Sequence, residues 1–170
     1  MFFDIHELEQ GKVRFDETLL PGAIEFFDQQ LRQTGPVKAT GTAEIDAAME
    51  IRVAGHVRAP MEAACDRCLE PAAMLVDTDF DLVYRPMSPG TPGEEVAIEA
   101  KEADIGFYES SGVELSDVLR EQILLSLPMQ RVCREACKGI CPVCGQNRNI
   151  RECGCEQESG DDRWSALKNL

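Results

Sequence analysis

The chain has 170 residues, 44% of them apolar, and a formal net charge of −14. That length suits one domain, or one domain with an appendage, and the apolar share is enough to bury a core. MFFDIHELEQ, at the start, carries acid where an export leader carries Lys or Arg, and no stretch approaches about eighteen consecutive apolar residues, so a cytoplasmic protein without a membrane segment is expected.

FFDI and KVRFDETLL alternate imperfectly around Gly11 and predict short edge strands. PGAIEFFDQQL follows, with Pro21 suited to a first helical turn and Ile24, Phe27 and Leu31 at helical spacing, so a short helix ending near Gly35-Pro36 is expected. From 37 to 58 the period becomes two. Val37 to Ile45 and Met49 to Val57 predict two strands with one buried face. MEAACDRCLEP interrupts the pattern at Cys65 and Cys68, after which Val76, Thr78, Phe80, Leu82 and Tyr84 alternate with Asp77, Asp79 and Asp81 in the clearest strand of the chain. RPMSPGTPGEE reads as an exposed loop, and EVAIEA and DIGFYES as two further strands.

VELSDVLREQILLSLP is the strongest helix. Leu115, Val118, Leu119, Gln122 and Ile123 fall on or beside one face, Leu127 extends it, Glu114 and Asp117 suit the positive N-terminal end, and Pro128 stops it. These elements predict an α+β fold: a mainly antiparallel β-sheet packed by one or two helices, as an acidic domain over 1–130. Residues 131–170 are expected to form the second part, a cysteine-rich segment ending in SGDDRWSALKNL, where Trp164 and Leu167 suggest a short closing helix.

The excess acid lies in the body. Residues 1–132 hold 11 Lys/Arg against 25 Asp/Glu, while 133–170 hold 6 against 6. Around the cysteines sit five cations, Arg131, Arg134, Lys138, Arg148 and Arg151, as a basic collar for RNA or a partner. An acidic body repels phosphates and attracts basic proteins.

CREACKGICPVCGQNRNIRECGC, residues 133–155, holds six of the eight cysteines. In a mid-sized chain with no export signal, metal binding is a better reading than disulfides. Cys141-Pro-Val-Cys144-Gly and Cys153-Gly-Cys155 make a C-x2-C-x8-C-x-C set, a closed four-thiolate zinc site with a structural role. Gly145 permits positive φ after the second cysteine. Cys65, Cys68, Cys133 and Cys137 would form a second such site, fastening the tail to the sheet. Other tetrads among 133–144 remain open on spacing alone, as do a pair of half-buried thiols at 65 and 68 and a dithiol redox site. Iron–sulfur spacings match poorly.

No P-loop, G-x-S-x-G or G-x-G-x-x-G is found, and no catalytic residues are assigned. His6 and His56 are expected to be solvated, and Asp77, Asp79 and Asp81 to form a solvated acidic face.

CDRCLEP at 65–71, ELSDVLREQILLSLPM at 114–129 and CREACKGICPVCGQNRN at 133–149, followed by Cys-Gly-Cys and DDRWSALKNL, resemble the YceD family, the large ribosomal RNA subunit accumulation proteins of bacteria and plastids. The order of the separated motifs gives the resemblance its specificity. It touches Cys65, Arg67, Cys68, Pro128, Cys133, Cys137, Gly139, Cys141, Pro142, Cys144, Gly145, Asn147, Asn149, Cys153 and Cys155, and departs at Arg148 and Trp164. The resemblance implies a non-enzymatic factor supporting large-subunit ribosomal RNA levels. The expected partner is then a basic large-subunit ribosomal protein or a pre-ribosomal particle, with weak, salt-dependent RNA contact and no small-molecule substrate. The alternatives are a dithiol or metal-dependent enzyme, and a zinc-stabilised adaptor unrelated to ribosomes.

Overall fold

In chain order the elements are β1 (Phe2–Asp4), α1 (Ile5–Leu8), β2 (Val13–Leu19), β3 (Arg32–Gln33), β4 (Val37–Ile45), β5 (Ile51–Ala64), β6 (Pro71–Pro86), β7 (Ile105–Tyr108), β8 (Gly112–Glu114) and α2 (Leu115–Ser126). This computed structural model describes residues 1–87, 105–109 and 111–155. The strand expected at EVAIEA, most of the proline-rich loop and the closing helix with Trp164 lie outside them. Clustering of contacts divides the chain into two units: Met1–Ala63 with Ala73–Met129, and Ala64–Ala72 with the chain from Gln130 on.

In the first unit the period of two does what it predicts. Along β5, Ile51, Val53, Val57, Ala59, Met61 and Ala63 are buried, and along β6 Val76, Phe80 and Tyr84 are buried while the aspartates between them face solvent. The main sheet runs β2-β4-β5-β6-β7, with the short β3 also paired to β5. β2 and β3 pair antiparallel with β4 and β5, and β4 with β5, in register Ala39↔Val57 and Ala43↔Val53. Arg52 pairs with Asp81 and Arg58 with Asp77, an order that reverses along the two strands, so β5 and β6 are antiparallel too. Among the described strands only β7 departs, lying parallel to β6 with Val83 opposite Ile105. β1 and β8 form a separate antiparallel pair.

The predicted main helix is α2. Leu115, Val118, Leu119 and Ile123 are buried in the same core as Phe3, Phe15, Val53 and Phe80, each contributing roughly 1.5–3 kcal/mol of burial. Leu127 turns extended (ψ 143°) ahead of Pro128, whose ring disfavours helical geometry at the preceding residue. Glu114 makes no capping bond at this helix; its carboxylate accepts from the Met1 ammonium at 3.0 Å instead.

The helix expected over PGAIEFFDQQL is not formed. Residues 20–31 run through turns, Phe27 has φ 53° and is exposed, and Ile24, Phe26 and Leu31 supply the buried side chains. An isolated helix this short is marginal, and the Asp28 carboxylate accepts the Gln30 N–H at 2.8 Å, offering the backbone a competing turn. Conversely, Ile5 begins the single-turn α1 instead of ending a strand, because the Asp4 side chain caps the His6 N–H at 2.8 Å.

The exposed face of β5 and β6 carries a ladder of opposite charges. Arg52 donates from Nε to Asp81 Oδ1 at 2.7 Å, and Arg58 Nη1 to Asp77 Oδ2 at 2.7 Å. Between them His56 places Nδ1 2.8 Å from Asp79 and Nε2 2.9 Å from Asp77. Carboxylates only accept, so this geometry favours the doubly protonated, cationic imidazole. The hydrogen bond to Asp79 leads the upward shift of its pKa.

Candidate metal centres

The second unit is built from two copies of one turn. In Cys65-Asp66-Arg67-Cys68-Leu69-Glu70, between β5 and β6, the Leu69 N–H donates to the Cys65 carbonyl at 2.9 Å and the Cys65 N–H to the Glu70 carbonyl at 2.8 Å. In Cys141-Pro142-Val143-Cys144-Gly145-Gln146 the Gly145 N–H donates to the Cys141 carbonyl at 2.9 Å and the Cys141 N–H to the Gln146 carbonyl at 2.8 Å. The fifth residue is left-handed in both, Leu69 at φ 65° and Gly145 at φ 73°. Each turn aims two sulfurs the same way.

Two further pairs complete the sets. Cys65, Cys68, Cys133 and Cys137 form one cluster and Cys141, Cys144, Cys153 and Cys155 the other, with all four sulfurs of each within 4.8 Å of one another. In the first, Cys65 Sγ lies 3.9 Å from Cys137 Sγ, and Cys68 Sγ 3.6 Å from Cys133 Sγ. A tetrahedron with metal–sulfur bonds of about 2.3 Å has edges of about 3.8 Å. The sulfur geometry therefore fits a four-coordinate thiophilic ion. The structure brings together the C-x2-C-x8-C-x-C set proposed from spacing and, separately, the four remaining cysteines that spacing left open, and among the described residues none of the mixed sets within 133–144 is assembled.

Local electrostatics prepare the thiolates unevenly. Burial opposes ionisation at Cys65, but backbone N–H groups of Cys133, Arg67 and Cys68 outweigh it and draw its pKa down to about 6. The Cys133 N–H is 3.3 Å from that sulfur. Backbone N–H groups of Cys144 and Val143 bring Cys141 to about 6 as well. At Cys68 the Glu70 N–H favours the anion, yet burial and the crowd of neighbouring thiols carry it up to about 12. Cys155, crowded by Cys144 and Cys153, also rises to about 12. In each cluster some sulfurs ionise readily and others resist, because like charges are packed together; a dication relieves that repulsion.

Polar side chains hold the first cluster in shape. Asn149 donates from Nδ2 to Cys137 Sγ at 3.3 Å and to Asn147 Oδ1 at 3.0 Å, while its Oδ1 accepts the Lys138 N–H at 2.9 Å. That side-chain bond leads the lowering of the Cys137 pKa. Asp66 receives the Arg131 N–H at 2.6 Å and gives its own N–H to the Arg131 carbonyl at 2.8 Å. Arg67 donates to the carbonyls of Glu135 at 3.3 Å and Cys137 at 3.4 Å, and to Gln130 Oε1 at 3.3 Å. Gly139, at φ 69°, sits where a Cβ would fall 2.8 Å from the Arg67 carbonyl oxygen, which accepts the Ile140 N–H at 2.9 Å. Spacing alone could not find Asp66 or the role of Arg67, since their partners lie 63 to 70 residues along the chain, nor the role of Asn149, which depends on how the turn at Cys137 and Lys138 folds back on it.

The collar residues are placed unequally. Arg131 Nε lies 3.9 Å from Asp66 Oδ1, and Lys138 Nζ pairs with Glu152 at 2.6 Å. Glu152 is held below the usual carboxylate range by Lys138 first, with Arg148 adding to it. Arg134 and Arg151 are exposed and make no ion pair among the described residues. Of the other sites weighed, His56 and the three aspartates are absorbed in the β5–β6 ladder.

Comparison with known proteins bears on what this arrangement is for. A family model described as "Large ribosomal RNA subunit accumulation protein YceD" matches residues 53–170, from β5 through both cysteine clusters. The chain belongs to the YceD family. Among its relatives, "Large ribosomal RNA subunit accumulation protein YCED homolog 1, chloroplastic" of Arabidopsis thaliana is 25% identical over 150 residues, covering 71% of this chain and 44% of that protein. "Uncharacterized protein Rv2926c" of Mycobacterium tuberculosis (strain ATCC 25618 / H37Rv) is 30% identical over 120 residues, 71% of this chain and 55% of its own length. "Uncharacterized protein YlbN" of Bacillus subtilis (strain 168) is 22% identical over 172 residues, 99% of this chain and 93% of its own. The chain thus spans about half the length of the first two relatives and nearly all of the third. No solved structure matches the chain. Among the described residues no helix is long and apolar enough to cross a membrane.

Proposed function

We propose that the protein is a non-enzymatic assembly factor that supports accumulation of large-subunit ribosomal RNA in the cytoplasm. Its acidic body engages a basic large-subunit protein or a pre-ribosomal particle, and the cysteine-rich unit, ordered by two zinc ions, touches RNA weakly. The observation that carries this reading is that all eight cysteines fall into two closed sets of four sulfurs. A four-thiolate tetrahedron satisfies zinc and offers no coordination position to a substrate. When bound, each ion supplies a cross-link and charge neutralisation.

The family membership gives the ribosomal direction, and the charge distribution gives the choice of partner. Two thiolate tetrahedra keep a local charge of about −2 each, and two collar cations, Arg131 and Lys138, already face acids, so direct affinity for phosphates is small and falls with salt. Co-sedimentation at low and moderate salt tests this. The expected outcome is association with pre-ribosomal particles or a basic large-subunit protein, and poor binding to naked ribosomal RNA. Tight, salt-resistant binding to naked RNA with no affinity for particles would overturn the reading, as would thiol-dependent turnover lost selectively on Cys141→Ser.

A further inference from the structure

The open groove of 520 Å³ between β7, β8 and α2 has a floor and a rim of different chemistry. Phe107, Leu124 and Leu125 line it and are exposed, Leu125 by 73% and Phe107 by 59%. An amphipathic helix that buries Leu115, Val118, Leu119 and Ile123 has no structural need for two adjacent leucines on its outer side. Around this floor stand four carboxylates, Glu109, Glu114, Asp117 and Glu121, and one guanidinium, Arg120.

That guanidinium is already engaged. Asp117 holds Arg120 Nη1 at 2.8 Å, and the Arg120 guanidinium stacks 5.1 Å from the centre of the Phe27 ring. Glu121 is a receiver too, taking a 3.4 Å hydrogen bond from the Tyr84 hydroxyl. Burial leads the upward shift of the Tyr84 phenol, and the negative charge of Glu121 and Asp117 reinforces it. The groove therefore presents an apolar strip under a negative potential.

We infer that this groove docks a basic amphipathic segment of a partner protein, with aliphatic side chains on Phe107, Leu124 and Leu125 and Lys or Arg reaching Glu109 and Glu121, since Glu114 already holds the Met1 ammonium. The occupant follows from charge. A second copy of the chain would bring its own net charge of −14 to an acidic rim, and a nucleic acid would bring phosphates. A basic segment alone satisfies both rim and floor, in the manner of helix-in-groove recognition. The inference rests on the proposed basic partner and locates where it binds.

Fluorescence anisotropy with the full, metal-loaded chain tests it. The probe is a fluorescein-labelled peptide of about fourteen residues with lysines and leucines at helical spacing. One control peptide replaces leucine by serine, another lysine by glutamate. The lysine–leucine peptide should bind, more weakly as salt rises toward about 0.15 M. Glu109→Lys with Glu121→Lys should weaken it at least tenfold, and Leu125→Ser several-fold. The same charge change at Asp16 and Glu25, outside the groove, should leave it within about twofold. Leu125 is exposed, so its serine variant keeps the test open if charge reversal disturbs folding, which thermal unfolding would reveal.

Equal weakening by both charge reversals would overturn the groove in favour of a general charge effect. So would absence of peptide binding, equal binding of the glutamate peptide, or a dimer in sedimentation velocity that Leu125→Ser abolishes. Particle co-sedimentation separates the two ideas. If the groove variants still associate with particles as the native chain does, the groove fails and the proposed function stands; if the native chain does not associate, the proposed function itself fails.

Discussion

The two cysteine clusters use the same turn and close very different loops. One is local: Cys141, Cys144, Cys153 and Cys155 lie within a single short segment. In the other, Cys65 meets Cys137 across a separation of 72 residues and Cys68 meets Cys133 across 65. The entropy of closing a chain grows with the logarithm of its length, so the distant cluster costs about 1.5 kcal/mol more to bring together. The turns differ in the same sense. Gly145 takes its left-handed conformation without a Cβ clash, whereas Leu69 takes nearly the same φ with an exposed, branched side chain. The distant cluster is therefore expected to hold a metal less tightly than the local one, and to lean more on the polar groups around it.

Removing one ligand from each cluster gives the largest effect. Native mass spectrometry of the intact chain should show two divalent ions, falling to one in Cys65→Ser and in Cys141→Ser. In Cys65→Ser, hydrogen exchange should accelerate across 64–72 and 130–137; in Cys141→Ser, across 141–155. Bound thiolates must be reprotonated for release, so falling pH removes metal from both, with the distant cluster emptying first. Simultaneous release, or a variant that keeps both ions, would erase the distinction.

Asn149→Ala probes the supporting shell. Loss of the N–H bond to Cys137 should lower metal affinity of the distant cluster about 10–100-fold and leave the local one unchanged, read by competition with a chromophoric chelator.

Exchanging the fifth residues of the turns is a smaller and sharper comparison. Leu69→Gly should stabilise the unit by about 0.5–1 kcal/mol, and Gly145→Leu should cost about 1–2 kcal/mol, both from denaturant midpoints. Opposite signs would be lost if the two turns were not equivalent.

The smallest effect contrasts the cysteine-rich unit with the ion-paired sheet. Asp79 and Asp77 favour the His56 imidazolium, so its folded pKa lies above the unfolded value of about 6.5. The stability this adds is fully present below that unfolded value and is lost as pH rises through the folded one. His56→Gln should therefore lower the melting temperature most in acid, with the difference from the native chain shrinking towards alkaline pH.

Legibility followed the range of the forces involved. β4, β5, β6 and α2 were readable because their burial repeats every two or every three to four residues, as Val53, Val57, Phe80 and Leu119 illustrate. Ile24, Phe27 and Leu31 had helical spacing too, but Asp28 and the left-handed Phe27 settled that segment into turns, with Phe26 buried in place of Phe27. The parallel placement of β7 left no trace in its own four residues, since strand direction depends on the connection before it. At the candidate metal centres spacing proposed the set Cys141, Cys144, Cys153 and Cys155 but left the grouping of the other four cysteines open, and it gave no sign of the shell of Asp66, Arg67 and Asn149.

The sequence by itself determined the acidic body, the alternating strands, the main helix and two pairs of cysteine pairs, because each is a pattern of neighbours. Only the tertiary structure decided which pairs share a site, how far the collar cations are engaged by acids, and that Phe107, Leu124 and Leu125 line one groove together with several carboxylates. Those outcomes depend on segments tens of residues apart arriving at one place, and local spacing carries no information about that arrival.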